Sequence, residues 1–396
     1  PNEKHRFNVF ASAQHINRDS YYGGGQDPNA YGNTTDLNWM AGSQYVYSFG
    51  KCIFMPADLT AGIEFNQDKL EDNMWGYHRT VDQKVNIGSA FFQNEWKNEH
   101  WGFLIGGRLD KHNLIDHVIF SPRANLRYNP TENINLRFSY SSGFRAPQAF
   151  DEDLHVENVG GNVAMVELAD NLKEERSQSL SASADIYHRF GAFQVNFLVE
   201  GFYTKLSDVF ALTDGEVVDG ILTRTRYNAP GARVMGLTLE GKMAYLTKFQ
   251  VQAGVTLQQS HYSEPHVWNK EAPAVKKMMR TPNTYGYFTA TYTPIKPLSI
   301  ALSGTYTGSM LVHHKPVPGF LEKPITVNTK DFFDIGLKAA YDFKLYKSMN
   351  LQVNAGVQNI FNAYQNDFDK GADRDSGYIY GPSLPRSFFA GVKISY

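Results

Sequence analysis

The feature that most constrains this chain is a strict two-residue alternation of apolar and polar side chains, repeated in segment after segment. Phe249, Val251, Ala253, Val255 and Leu257 interleave with Gln250, Gln252, Gly254, Thr256 and Gln258. Leu351, Val353, Ala355 and Val357 interleave with Asn350, Gln352, Asn354 and Gln358, and Ile134, Leu136, Phe138 and Tyr140 with Asn133, Asn135, Arg137 and Ser139. Neighbouring side chains on an extended strand point to opposite faces, so each segment has one apolar and one polar face. A soluble sandwich would alternate too, but strand length separates the cases. The runs 84–98, 174–189, 233–247 and 249–263 hold about 15 residues each, against about 5–6 in globular sheets.

Composition fits long strands whose apolar face meets lipid. Hydrophobic residues make up 42% of the 396, and aromatics 14%, with 23 Tyr and 27 Phe. Mean hydropathy is nevertheless −0.41. No run of about 18 apolar residues exists, which excludes a membrane-spanning helix. A barrel strand crosses a bilayer with about 9–11 residues, every second one facing lipid, so a membrane protein of this kind is polar on average. The polar faces carry Gln, Asn, Ser, Thr and charges in ladders, as a wet or plugged lumen requires. Aromatics gather at strand ends, as at Tyr245, Phe249, Phe343 and Tyr346. Net charge is −2, which does not point to nucleic acid, and the single Cys52 precludes an internal disulfide.

The alternation predicts about 16 strands, at roughly 5–16, 36–49, 53–67, 83–98, 100–112, 118–129, 132–143, 173–189, 192–211, 222–246, 248–262, 282–294, 297–311, 331–344, 348–360 and 385–396. Their connections alternate in length. Phe49–Cys52, Lys97–Glu99, Asn129–Glu132, His188–Gly191, Leu246–Lys248, Thr293–Pro297 and Lys344–Ser348 are short. The connections 17–35, 68–82, 144–172, 262–281, 312–330 and 361–384 are long, with 113–117 short and 212–221 intermediate. Short turns at one end and long loops at the other mark an outer-membrane barrel. The expected fold is all-β, a transmembrane antiparallel up-and-down barrel lying in outer-membrane lipid. At the C-terminus Phe388, Ala390, Val392, Ile394 and Tyr396 alternate up to a final aromatic. That ending resembles the insertion signal of outer-membrane proteins.

Four short motifs resemble those of one family. Ser141-Ser142-Gly143-Phe144-Arg145-Ala146-Pro147 closes one strand, and Asn171-Leu172-Lys173-Glu174-Glu175, with Ser177, leads into the next. Val357-Gln358-Asn359-Ile360-Phe361-Asn362 ends the penultimate strand, and Gly381-Pro382 with Pro385-Arg386 introduces the last. In this order they resemble TonB-dependent outer-membrane receptors, with Asp170-Asn171 standing where many members read Asn-Pro. The resemblance implies a barrel of about 22 strands, plugged in its lumen, of which this chain is the C-terminal part. An N-terminal plug, bearing the contact to the TonB complex, and about six strands would then precede Pro1. It also implies active import of a large, scarce nutrient: a corrinoid, haem or a ferric siderophore. A surface lipoprotein capping the loops is a further candidate partner.

Candidate ligand residues lie in the long connections. Tyr21 and Tyr22, before three glycines, offer flat surface to a macrocycle. The resemblance implies an axial haem-iron ligand at His155. His313 and His314, and Met278 and Met279, suit soft or borderline metals. Asp367, Asp369, Asp373 and Asp375 offer hard oxygens to a calcium ion, though without EF-hand order. No nucleophile elbow, phosphate loop or HExxH motif is present, so no enzymatic activity is expected. The alternative function is a passive porin of about 16 strands.

Overall fold

The computed structural model describes residues 4–21, 31–75, 79–147, 163–218, 221–346, 348–371, 374–375, 377–382 and 384–396. The first strands are β1 His5–Tyr21, β2 Tyr31–Cys52, β3 Met55–Met74, β4 Arg79–Lys97, β5 Trp101–His112, β6 Ile119–Thr131, β7 Ile134–Arg145, β8 Val163–Leu168, β9 Glu175–Phe190 and β10 Phe193–Ser207. There follow β11 Val209–Val218, β12 Ile221–Ala229, β13 Ala232–Tyr245, β14 Phe249–His266, β15 Val275–Lys277, β16 Thr284–Ile295, β17 Leu298–Thr307, β18 Leu311–His314, β19 Ile325–Asn328, β20 Phe332–Tyr346, β21 Met349–Gln358 and β22 Ser387–Ser395.

Among the described residues, sixteen long strands form one antiparallel meander. β1 to β7 pair in sequence. The order then runs β7, β9, β10, β13, β14, β16, β17, β20, β21, β22, each paired with the next. The six short strands stand outside this wall order. β11, β12 and β8 form a separate three-stranded sheet, β18 and β19 a two-stranded one, and β15 clips onto β14.

The register carries the sequence alternation across the wall. Leu136, Ala184, Val199, Leu239, Val255, Gly286, Tyr306 and Phe333 are successive partners in one apolar row. Asn196, Lys242, Gln252, Thr289, Ser303 and Gly336 make a row of the opposite parity. Phe92, Ile105, Phe138, Phe197, Leu237, Leu257, Leu337 and Val353 are exposed on the apolar side. Among the described residues no second layer covers this face, so it is an outward belt. At its short-turn end it carries aromatics: Trp101 stacks on Tyr128 at 4.2 Å, Phe193 meets Tyr245 at 4.6 Å and Tyr341 meets Phe343 at 4.5 Å. This is the girdle expected at a bilayer interface.

Several boundaries differ from the sequence expectation. The connections 17–35 and 68–82 are largely strand, since pairing continues out to Tyr21–Tyr31 and Met74–Arg79. Ladder hydrogen bonds, rather than apolar alternation, hold these extensions. The segment 192–211 breaks at Asp208, whose φ of 54° ends β10. The segment 222–246 is two strands, because Pro230-Gly231 interrupts it. Proline has no N–H for the ladder, and a Cβ at Gly231 would run into the Leu206 carbonyl oxygen. The connection 212–221 lies within the β11–β12 hairpin.

Among the described residues β1 pairs only with β2, and β22 only with β21. The sheet therefore has two edges, and almost every residue of β1 and β22 is exposed.

Candidate functional site

The polar face of the wall lines a lumen with a dense hydrogen-bonded network. Arg108 donates to Glu64 Oε1, Asp110 Oδ1 and Ser89 Oγ, each at 2.7 Å, and Ser89 donates to Asp110 at 2.6 Å. Further round, Lys242 pairs with Glu240 at 2.7 Å, and the Tyr287 hydroxyl also donates to Glu240. A lumen cavity of about 340 Å³ lies against Asn196, Lys242, Gln252 and Thr289. Arg127 is the direct cross-strand partner of Arg137 on this face. Like charges set opposite one another are unfavourable unless an anion or solvent screens them.

Above the lumen, two loops 55 residues apart in sequence are fastened together. β18 places Val312 and His314 on its buried side. The His314 ring stacks on Tyr378 at 3.8 Å with planes 6° apart, and its Nε2 lies 2.8 Å from Asp369 Oδ2. Asp369 also accepts the Asp375 N–H, at 3.1 Å. Asp375 in turn accepts the Gly377 N–H at 2.9 Å and the Lys315 N–H at 2.8 Å. Asp367 accepts the Tyr380 hydroxyl at 2.6 Å. Burial, together with that carboxylate, pushes the Tyr380 hydroxyl far above the ordinary tyrosine range, and Tyr378 is raised for the same reasons. Arg280 donates to the carbonyls of Ile379 and Gly377, and Met310, Val312 and Tyr378 form a small apolar core beneath.

This arrangement unites candidates that the sequence offers separately: His314 with Asp369 and Asp375, and Asp367 through the tyrosines. Asp373 lies outside the described residues. The described carboxylates spend oxygens on hydrogen bonds within the chain, and no group of three or more His, Cys, Asp or Glu is arranged around a cation position among the described residues. The geometry there is that of a loop staple. His313, on the other side of β18, lies beside Trp268 at 5.0 Å with the rings tilted by 32°. Met278 and Met279 are half-buried, and the Met278 N–H bonds the Ser260 carbonyl.

The motif residues form a second staple. Phe144 and buried Ala146 pack on Ile115 and Ile119, and Pro147 is also buried. Arg145 lies over the Phe210 ring at 5.2 Å, with Arg226 over the same ring at 5.6 Å. The strand end thereby grips the β8–β12–β11 sheet. Asn171 is exposed at a turn that Leu172 closes by donating to Ala169 O at 3.1 Å. Next to it, buried Glu174 bonds Arg176 at 2.7 Å and His117 at 3.1 Å. Burial disfavours the Glu174 carboxylate, but the Arg176 hydrogen bond, its own backbone N–H and His117 outweigh that and hold its pKa below normal. In the penultimate-strand motif, Asn359 (φ 50°) donates to the carbonyls of Ala363 and Leu384 at 3.0 Å, tying both ends of the last loop.

Tyr21 meets Tyr31 at 4.9 Å with the rings tilted by 50°, in the last described pair of the β1–β2 ladder. Tyr22 and His155 lie outside the described residues. Phe388, Val392 and Ile394 project from the exposed face of β22, and Tyr396 follows it. Sequence reasoning missed Arg280, Tyr378, Tyr380, Phe210 and Arg226. Only the Tyr378-Ile379-Tyr380 alternation gave any signal.

Comparisons with known proteins agree with this geometry. The family described as TonB dependent receptor-like, beta-barrel matches residues 2–360. No curated protein gives a significant match. Among solved structures, a mutant of the ferric enterobactin receptor PfeA from Pseudomonas aeruginosa has a TM-score of 0.70 at 17% identity, covering 98% of this chain and 59% of that one. The ferric-catecholate import receptor Fiu from E. coli gives 0.69 at 14% identity, covering 99% of this chain and 62% of Fiu. The copper transporter OprC gives 0.65 at 12%, covering 98% of this chain and 62% of OprC. These likenesses speak to the fold, and this chain spans 59% to 62% of the length of those three proteins. A polar lumen, a greasy belt and a family match over most of the sequence lead to one conclusion: the chain belongs to the TonB-dependent receptor-like β-barrel family of the outer membrane.

Proposed function

We propose that this chain is the barrel portion of an outer-membrane active-transport receptor, driven by TonB through a plug held in the lumen. The observation that carries this is the open wall. Unpaired backbone groups in hydrocarbon cost several kcal/mol each, so the exposed edges of β1 and β22 call for further strands to complete the ring. A preceding segment of the same protein, supplying those strands and the plug, accounts for both edges and for the partial coverage of the solved receptors. The facing Arg127 and Arg137 support it too, since a carboxylate-bearing plug would relieve their repulsion. A passive porin of sixteen strands would need β1 paired with β22.

Of corrinoid, haem and ferric siderophore, the siderophore is the cargo we favour. PfeA and Fiu are described as receptors for ferric enterobactin and ferric catecholate, and Arg123, Arg127 and Arg137 share the lumen face that an anionic chelate would pass. The test is uptake of radiolabelled ferric catecholate by cells making the complete protein, with and without TonB. Accumulation is expected only with TonB. Entry that persists without TonB overturns the receptor reading in favour of a pore, and a Soret or corrin band in the purified protein replaces the siderophore with haem or a corrinoid.

A further inference from the structure

We propose that the outward face of β9, β10, β13, β14 and β15, at the loop end of the belt, binds a phosphate-bearing lipid of the outer leaflet. The register makes the case. Gln178, Lys205, Arg233, His261 and Lys277 are successive cross-strand partners, so they lie side by side across five strands, about 5 Å apart. Lys205 stands two residues loopward of Tyr203, Arg233 two from Met235 and His261 two from Gln259, on the parity of the greasy face. Lys205 and Arg233 are exposed and Lys277 half-exposed. None of the three belongs to an ion pair among the described residues, and no acidic residue stands in the row.

Next to this cationic row, toward the bilayer centre, an open groove of about 830 Å³ runs over Phe138, Leu180, Ala182, Gly201, Leu237 and Leu257. Gly201 has nothing within 4 Å of where a Cβ would stand, so its missing side chain leaves the groove open. Three fixed cations and an imidazole above an apolar trough fit an amphiphile with anionic headgroup oxygens and an acyl chain. Free phosphate would have no use for the trough, and a zwitterionic lipid none for the row. The outward flank of β3 and β4 differs: there Lys69 is bonded to Glu71 at 2.6 Å, and Glu71 is the partner of Asp82. The proposal rests on the membrane setting and the register, and is independent of what the receptor transports.

The test is native mass spectrometry of the complete receptor in detergent, titrated with diphosphoryl lipid A, its dephosphorylated form, phosphatidylethanolamine and inorganic phosphate. Wild type is expected to retain diphosphoryl lipid A over the two lipids that carry no net negative charge. The combined Lys205→Gln, Arg233→Gln and Lys277→Gln variant is expected to weaken that binding roughly 100-fold, at about fivefold per cation. Gly201→Leu is expected to weaken it by filling the groove without touching the cations. Equal retention by wild type and the triple variant overturns the proposal, as does equal retention of the dephosphorylated lipid. Inorganic phosphate binding as tightly as the lipid also overturns it. Should the triple variant fail to show the heat-modifiable mobility of a folded barrel, Arg233→Gln alone, with about a fivefold loss, carries the same decision.

Discussion

The wall and the rim of this protein are held together by different physics. The wall is a ladder of backbone hydrogen bonds between consecutive strands, and its side chains need only respect parity, apolar outward and polar inward. The regular pairing of the rim is confined to two small sheets, β8–β12–β11 and β18–β19. Its loops are fixed by side chains: His314 between Asp369 and Tyr378, Arg145 and Arg226 around Phe210, Asn359 across the ends of the last loop. A wall strand can exchange one apolar residue for another, because only hydration and volume matter there. The rim cannot, because each staple is a specific donor on a specific acceptor. Backbone pairing and side-chain stapling are thus divided between the two, with the stapled part raised on the laddered one.

The largest effect that would sharpen this comparison is on the wall. Leu239→Arg sets a charge in the middle of the outward belt and is expected to cost about 2–4 kcal/mol in urea unfolding from lipid vesicles. Gln250→Arg, on the lumen face of the neighbouring strand, should stay within about 0.5 kcal/mol. Equal costs would abolish the two-faced wall. Asp369→Ala comes next. It strips buried His314 of its carboxylate, a local loss of about 1–3 kcal/mol, and should speed protease cleavage within 361–386 while leaving unfolding of the wall unchanged. A wall that unfolds earlier would show the two regions to be one cooperative unit. The smallest effect is set by pH at Glu174. Its folded pKa lies below the ordinary glutamate value of 4.5, so its contribution is full above that value and is lost as pH falls through the folded one. Hydrogen exchange of the 171–176 segment, corrected for intrinsic rates, should rise on acidification from about pH 6 to 3, ahead of the wall amides. Parallel loss in both would contradict the assignment of that ion pair to the rim.

The wall was legible from sequence for the same reason that it is robust. Period-two alternation is local, and fifteen-residue runs of it leave one architecture that keeps the apolar face in lipid. The breaks were less legible. Asp208 and Pro230-Gly231 interrupt segments whose apolar pattern reads straight through, so alternation alone predicts two strands longer than those the structure forms. The rim was legible only as a set of parts. The sequence marks His313, His314 and the aspartates as chemically capable, but not that β18 turns His313 toward Trp268 and His314 toward Asp369, 55 residues on.

The sequence by itself determined that the strands are long, that one face is apolar, and on which end the long loops emerge, because these follow from side-chain order and turn spacing along the chain. Only the tertiary structure decided which carboxylates are consumed by partners, which arginine grips which ring, and that Lys205, Arg233, His261 and Lys277 fall into one row. Those facts depend on the stagger between strands and on contacts closed across dozens of residues, and no local pattern encodes them.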